Sequence, residues 1–380
     1  MSLMNKTGLY IHVPFCGSKC NYCDFNSYVG KMDLAEEYFA CMKKEIDLYR
    51  DEMALNKIGT IFIGGGTPTC VEPRFIGEIL NECREKYHVS EPCEITIESN
   101  PGTINEEKLK EYGQYGINRI SIGLQAYQEN LLKYLGRRHT AGEFVSSVEM
   151  AKKAGFDNIN ADIIFGIPGQ TLKDWKDTLS VLTDLGVTHI SAYDLKVEEG
   201  TRFGDMRDTG KLIEMEDELD REMYHYAIEY LKQQGFNHYE LSNFAKEGCE
   251  CRHNLIYWNC LEYLGLGAGA HSFLQDIRFE NQATIEGYIE YLSKGQKPVE
   301  ERYVRDFCEK MSEYMFLGLR LIDGVSREKF EDRFNQNIFD AYAAKIDRLK
   351  KKQLIETDDK SIRLTQLGLD LANQVFVEFV

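Results

Sequence analysis

The amino-acid sequence predicts an α/β fold built from six βα units around a parallel sheet, as a partial barrel or an open sheet, with a small winged-helix-like α+β domain at the C-terminal end. Three observations carry this prediction. Short β-rich runs alternate with longer amphipathic ones up to about residue 245, the rhythm of strands joined by crossover helices. Several of the strand candidates end in a polar or glycine-rich cluster. The pattern changes after about residue 245, and from about Arg302 the chain reads as helical before closing on a short hairpin.

The strand candidates are residues 8–13, 60–63, 93–98, 119–123, 159–165 and 189–195, and amphipathic helices are expected over residues 34–50, 73–87, 172–185 and 214–234. The clusters at strand ends are Pro14-Phe15-Cys16, Gly64-Gly65-Gly66-Thr67-Pro68-Thr69, Glu98-Ser99-Asn100-Pro101-Gly102, Gly123-Leu124-Gln125 and Gly166-Ile167-Pro168-Gly169-Gln170. Any one of them alone reads as an ordinary turn. Ligands of parallel α/β folds bind at the carboxyl ends of the strands, so five clusters in equivalent places predict one shared site.

Three domains are expected. Residues 1–245 form the α/β part, residues 246–300 a connecting segment rich in Cys, His and aromatic residues, and residues 301–380 the C-terminal domain. The connecting segment contains Gly265-Leu266-Gly267-Ala268-Gly269-Ala270-His271, which is not G-x-G-x-x-G and supports no dinucleotide fold. A basic helix over residues 343–352, two short strands around Asp358-Asp359 and a terminal helix suggest the winged-helix-like domain.

The 380 residues include 45 Lys+Arg against 62 Asp+Glu, a formal net charge of −17. That balance argues against nucleic acid as a partner, because phosphate is repelled over most of such a surface. Lys345, Arg348, Lys350, Lys351 and Lys352 therefore read as a solvated charged face rather than a DNA contact. No stretch approaches the roughly 18 to 20 apolar residues of a membrane helix, so a soluble chain with no integral membrane segment is expected. Met1 to Lys6 lead into the first strand without a secretory apolar region, which predicts a cytoplasmic protein. Met1-Ser2-Leu3 ahead of a second Met reads as an expression scar.

Eleven cysteines, an odd number, do not read as a disulfide framework in such a chain. Reduced thiols are expected, some of them metal ligands. Cys16, Cys20 and Cys23 form C-x3-C-x2-C in the loop after the first strand, and Cys249, Cys251 and Cys260 form a second group. Three thiolates on one loop can each bind one iron of a [4Fe-4S] cluster. Asp24-Phe25 follow in place of a fourth cysteine, leaving one iron open to a small molecule. Zinc is the competing metal, but a structural zinc site takes four ligands where this loop offers three. Three unrelated buried thiols are the remaining alternative. Nearby, Gly65, Gly66 and Thr67 leave backbone close to a ligand's polar end. Glu98 and Asp162 can accept hydrogen bonds from an ammonium or ribose hydroxyls, Gln125 can donate and accept, and Arg137 can pair with a carboxylate.

The C-x3-C-x2-C loop followed by the Gly64 to Thr69 cluster resembles the radical S-adenosylmethionine (SAM) superfamily. The resemblance implies a partial (β/α)6 TIM-type barrel with a [4Fe-4S] cluster whose open iron is chelated by the amino and carboxylate groups of SAM. Reduction of that cluster cleaves SAM to methionine and a 5′-deoxyadenosyl radical. The whole chain is similar to the family of oxygen-independent coproporphyrinogen III oxidase (HemN) and the haem chaperone HemW. The shared residues are Tyr10-Ile11-His12-Val13-Pro14-Phe15-Cys16, the Gly-rich loop, Glu98-Ser99-Asn100-Pro101, Arg119-Ile120-Ser121-Ile122-Gly123-Leu124-Gln125, Asp162 and Gly166-Ile167-Pro168-Gly169-Gln170-Thr171. By motif position this implies Cys16, Cys20 and Cys23 as cluster ligands and a SAM site lined by Tyr10, Tyr22, Gly65, Gly66, Thr67, Glu98, Gln125, Arg137 and Asp162.

Two features separate the branches of that family. The oxidases carry C-x3-C-x2-C-x-C, a pattern that Phe25 breaks here, as in the HemW type. His253-Asn254-Leu255-Ile256-Tyr257-Trp258 matches the H-N-x-x-Y-W segment associated with haem in that type. The resemblance implies His253 as a haem ligand, with Tyr257 and Trp258 offering flat faces to the macrocycle. Cys249 and Cys251 are alternative thiolate ligands, and taken alone a His among aromatics reads as a core residue. A zinc reading of Cys249, Cys251, His253 and Cys260 has suitable ligand types but the spacing of no zinc module. The function implied is a haem chaperone that delivers haem to apo haemoproteins. The alternative is an oxidoreductase of porphyrin biosynthesis that decarboxylates coproporphyrinogen III to protoporphyrinogen IX, with no catalytic residue assigned. Haem or a porphyrin, apo haemoproteins, and a reductant protein such as flavodoxin or ferredoxin are the partners this implies.

Overall fold

The computed structural model describes residues 6–380. Met1 to Asn5, which include the run read as an expression scar, lie outside the described residues. All six expected strands form: β1 (Thr7–Val13), β2 (Lys57–Gly65), β3 (His88–Ser99), β4 (Arg119–Gln125), β5 (Asn158–Phe165) and β6 (His189–Asp194). Each pairs in parallel with the next.

The two faces of these strands differ, because side chains alternate along a strand. Leu9, Ile11, Val13, Ile61, Ile63, Ile95, Ile97, Ile120, Ile122, Ile159, Ala161 and Ile163 are buried on one face, in a core shared with the crossover helices. Among those helices are Ala35–Leu48, Pro73–Lys86, Leu172–Asp184 and Asp217–Gln233, close to their expected bounds. The other face is also buried but polar, with Thr60, Glu94, Thr96, Arg119, Ser121, Asn160, His189 and Ser191. Its groups bond to one another: Asn160 Nδ2 donates to Ser121 Oγ at 2.7 Å, and His189 bonds Asn160 Oδ1 at 2.6 Å and the Tyr239 hydroxyl at 2.8 Å. A buried polar face is costly unless its groups are paired, and here it marks the functional side of the sheet.

The sheet is larger than the sequence pattern suggests. Six further strands join it: β7 (Asn237–Glu240), β8 (Asn243–Ala245), β9 (Tyr263–Leu266), β10 (His271–Leu274), β11 (Ile277–Asn281) and β12 (Val299–Val304). The order is β12-β11-β10-β9-β1-β2-β3-β4-β5-β6-β8-β7. Strand β9 is a seventh parallel member, set beside β1 with Gly8 opposite Tyr263, while β7, β8 and β10 to β12 run antiparallel to their neighbours. The sheet is open, with β12 and β7 as its edges. Residues 246–300, read from sequence as a connector, thus supply two helices, Arg252–Trp258 and Ile285–Ser293, and three strands. Those strands have four or five residues each, too few to show an alternation, and Gly265 interrupts the first.

After β12 a second hydrophobic cluster gathers Met311, Met315, Phe330, Leu349, Ile362 and Val375. The basic helix Ala343–Lys351 leads into a hairpin of Ile355–Thr357 and Ser361–Leu364, with Val325–Ser326 as a third strand. The expected terminal helix is two short ones, Gln366–Asp370 and Ala372–Val377, parted at Leu371. Among the described residues no helix is long and apolar enough to cross a membrane.

Candidate functional site

A cavity of about 490 Å³ opens at the carboxyl ends of the parallel strands. Cys16, Cys20, Tyr22 and Cys23 reach it from the loop after β1, and Gly65, Gly66 and Thr67 from the end of β2. Glu98 comes from β3, Gln125 from β4, Arg137 from the turn beyond it and Asp162 from β5. Every residue expected at a cluster or SAM site except Tyr10 therefore shares one wall. Tyr10 lies against Phe62, with its hydroxyl bonded to His12 Nδ1 at 2.9 Å. The last glycine cluster turns elsewhere, since Gly166 and Pro168 line a small acidic cavity with Glu214, Asp217 and Asp220.

The cysteine loop is held from outside. Asn21 N donates to the Leu135 carbonyl at 2.9 Å, its Nδ2 to Tyr134 O at 2.8 Å, and its carbonyl accepts from Phe203 N at 2.8 Å. Gly136, at φ +77°, allows this approach, because a Cβ there would come within 3.0 Å of Asn21. The cysteines are free thiols. Cys16 Sγ lies 3.4 Å from the Thr67 hydroxyl, which also accepts from Asn100 Nδ2 at 2.8 Å. Arg137 Nη1 lies 3.6 Å from Cys20 Sγ. Burial raises the Cys23 thiol above its ordinary range.

Among the described residues no group of three or more His, Cys, Asp or Glu side chains is gathered as ligands of a single ion would be. A cubane instead bonds each thiolate to a different iron, and three separate thiols around one cavity wall fit that chemistry. The structure adds a thiol that spacing did not single out. Cys70 lies by Thr67 and the Gly17 backbone, in a second cavity of about 260 Å³ that also reaches Cys20. Only the fold brings it to the loop.

The polar wall of this cavity is shaped by backbone. A Cβ on Gly65, at φ +111°, would come within 2.5 Å of the His12 ring, and one on Gly66 within 2.6 Å of the Phe15 carbonyl. Gln125 has φ 69° beside a register shift after Gly123, a bulge that re-aims a side chain at the cost of local strain. Glu98 Oε2 accepts from Gly65 N at 3.2 Å. Asp162 accepts from Ser121 Oγ at 2.7 Å and from Asn160 Nδ2 at 2.8 Å. Burial, and then the neighbouring Asp162, push Glu98 up to about 8. Burial also raises Asp162, against the opposing pull of its Ser121 and Asn160 bonds. Two carboxyls that resist ionisation together form a natural seat for a ligand's ammonium or hydroxyls.

His253 lies at the other end of the strands. It is 1% exposed, and its ring bonds the Thr60 hydroxyl at Nδ1 (2.9 Å) and the Tyr257 hydroxyl at Nε2 (2.8 Å). Burial, with Arg119 adding to it, holds the imidazole down to about 3. Thr60 precedes Gly65 by five positions on β2, about 16 Å at roughly 3.3 Å per residue. The cavity and His253 are thus not brought together. Trp258 faces away from His253 into a cavity of about 390 Å³ shared with the C-terminal residues Tyr314 and Val325. The Arg320 guanidinium lies 4.4 Å over its ring, and its indole N–H is buried with no protein partner. Arg320 also lines the cysteine cavity. Cys251 and Cys260 are buried thiols, each pushed up to about 11, and with Cys249 and His253 they form no metal group.

The Radical SAM superfamily profile matches residues 10–182, and the HemN C-terminal domain profile residues 308–371. Heme chaperone HemW of Lactococcus lactis subsp. lactis (strain IL1403) is 35% identical over 381 residues, covering 100% of this chain and 98% of its own. This chain belongs to the HemN/HemW family of the radical SAM superfamily. Within that family, Heme chaperone HemW of Bacillus subtilis (strain 168) is 35% identical, with 98% of each chain covered. Radical S-adenosyl methionine domain-containing protein 1, mitochondrial, of Danio rerio is 30% identical, covering 97% of this chain and 86% of its own. The solved coproporphyrinogen III oxidase HemN of Escherichia coli superposes with a TM-score of 0.86 over 99% of this chain and 90% of that one, at 21% identity. The HemN/HemW family thus shares this mixed α/β fold, and its members named HemW and HemN belong to haem and porphyrin metabolism.

Proposed function

We propose that this chain is a haem chaperone of the radical SAM kind, which binds haem and delivers it to apo haemoproteins. In this reading Cys16, Cys20 and Cys23 hold a [4Fe-4S] cluster, and Tyr22, Gly65, Gly66, Thr67, Glu98, Gln125, Arg137 and Asp162 seat SAM, with Tyr10 set behind them against Phe62. The observation that carries the reading is the match along the whole chain to proteins named heme chaperones. The gathering of the three thiols and the polar wall in one cavity supports the cofactor assignment. When bound and reduced, the cluster supplies reductive cleavage of SAM. The chain's own part is to bring Gly65 and Gly66 backbone close to the ligand, to accept its hydrogen bonds at Glu98 and Asp162, and to fix the loop through Asn21.

Phe25 favours a chaperone over an oxidase. It stands 63% exposed where the oxidase pattern has a fourth cysteine. In this reading His253, Tyr257 and Trp258 would hold haem, and His253 would have to give up its bond to the Tyr257 hydroxyl for Nε2 to ligate iron. We read the six-strand core as a partial (β/α)6 barrel, residues 301–380 as a winged-helix-like unit, and the cytoplasm as the place of action.

The test is an anaerobic haem titration of cluster-loaded protein followed by visible absorbance. Saturable binding of one haem per chain is expected, with no consumption of coproporphyrinogen III when SAM and a reductant are supplied. Turnover of coproporphyrinogen III without saturable haem binding would overturn the chaperone reading in favour of the oxidase.

A further inference from the structure

Arg137 is expected to face SAM, yet most of its guanidinium is committed to the protein. Nη2 donates to Asn100 Oδ1 at 2.5 Å and to the Gly123 carbonyl at 2.8 Å, which fixes the plane of the group. Nη1 then points at Cys20 Sγ, 3.6 Å away. The loop comes to meet it. Asn21, next to Cys20, is tied to Tyr134 and Leu135 just ahead of Arg137, so one clamp places both the thiol and the cation. Tyr22 lies against both.

The other two thiols have different neighbours. Cys16 meets the neutral Thr67 hydroxyl. Lys19, the cation nearest Cys23, spends its ammonium on the Phe25 carbonyl and the Ser27 hydroxyl at the surface. The set is therefore asymmetric, with a positioned guanidinium on Cys20 alone.

Resting on the cluster assignment above, we propose that Arg137 is a positioning residue that raises the reduction potential of the [4Fe-4S] cluster through an N–H···S bond to Cys20. Hydrogen bonds to ligand sulfurs and nearby charge are among the levers that set such potentials. A cationic donor stabilises the more negative, reduced cluster more than the oxidised one.

Wild type, Arg137→Gln, Arg137→Lys and Tyr22→Phe are loaded anaerobically with iron and sulfide, without SAM, so that any contact of Arg137 with SAM cannot enter. Each is poised at the wild-type midpoint, and the reduced fraction is read by electron paramagnetic resonance. Arg137→Gln is expected to lower the reduced-to-oxidised ratio about tenfold, which corresponds to 59 mV for a one-electron couple. Arg137→Lys, which keeps the charge but not the fork, should lie between the two, and Tyr22→Phe, which removes only a neutral hydroxyl from the same thiol, should lower the ratio less than Arg137→Gln. An unchanged ratio in loaded Arg137→Gln overturns the proposal and leaves the cluster assignment standing. If Arg137→Gln holds no cluster, an unchanged ratio in Arg137→Lys overturns it in the same way. Failure of wild type to take up four irons removes the cluster assignment itself.

Discussion

Glu98→Gln tests the electrostatics of the cavity without disturbing its shape. Burial raises Glu98 from its ordinary 4.5 to about 8. The folded protein therefore keeps a proton that the unfolded chain has already lost, and stability falls as pH rises through that window. The contribution is fully present below the ordinary value, is lost progressively up to about 8 and is constant beyond. Gln carries no such proton, while its side-chain oxygen can still accept from Gly65 N. The variant should gain on wild type by at most about 1.4 kcal/mol per pH unit within the window. Water reaching the carboxyl through the cavity reduces this, so a gain of about 2 kcal/mol is expected between roughly pH 5.5 and 7.5. The assay is urea unfolding of cluster-free protein under anaerobic, reducing conditions at several pH values across that range. Parallel stability profiles for the two proteins would refute the reasoning, because they would mean that Glu98 ionises in the fold as readily as in the open chain.

Two further substitutions test other parts of the structure. His253→Ala deletes a ring bonded at both nitrogens and strands the Thr60 and Tyr257 hydroxyls, so a loss of about 3 kcal/mol is expected from urea midpoints. An unchanged midpoint would contradict that burial. Gly66→Ala sets a methyl 2.6 Å from the Phe15 carbonyl, which accepts from Thr67 N at 2.8 Å. SAM affinity by equilibrium dialysis should drop about tenfold, some 1.4 kcal/mol, and affinity within about twofold of wild type would mean that the turn yields.

Much of this site is legible in the sequence because it lies where strands end. Cys16, Gly65, Glu98 and Gln125 stand at or next to the end of a strand run, with Asp162 three residues short of the end of β5, and parallel pairing then brings those ends together without further information. What is not legible depends on contacts between distant segments. Asn21 meets Leu135 and Phe203, Cys70 meets Gly17, and Arg320 reaches both the cysteine cavity and Trp258. No local pattern encodes such meetings. His253 is the instructive intermediate case. Its motif is visible, but its seat beside Thr60 follows from where its helix and the next strand dock. Strand β9 joins the sheet beside β1 and carries the helix Arg252–Trp258 in under the amino ends of the strands. The strand is too short, and too rich in glycine, to announce itself.

An open sheet has two unfinished borders, each a row of backbone groups that could template the addition of another strand. The molecule protects them differently. At β7 its own chain blocks access: Leu241 N donates to Arg320 O, Ile322 N donates to Tyr239 O, and Glu240 bridges Leu321. At β12 no described residue is laid over the strand, and residues 300–304 are exposed. That border instead carries Glu300, Glu301 and Arg302, side chains that would have to be desolvated for another strand to zip on. Aggregation through sheet edges is thus opposed by a steric cover on one flank and by charge on the other, and only the charged flank should weaken as salt is raised.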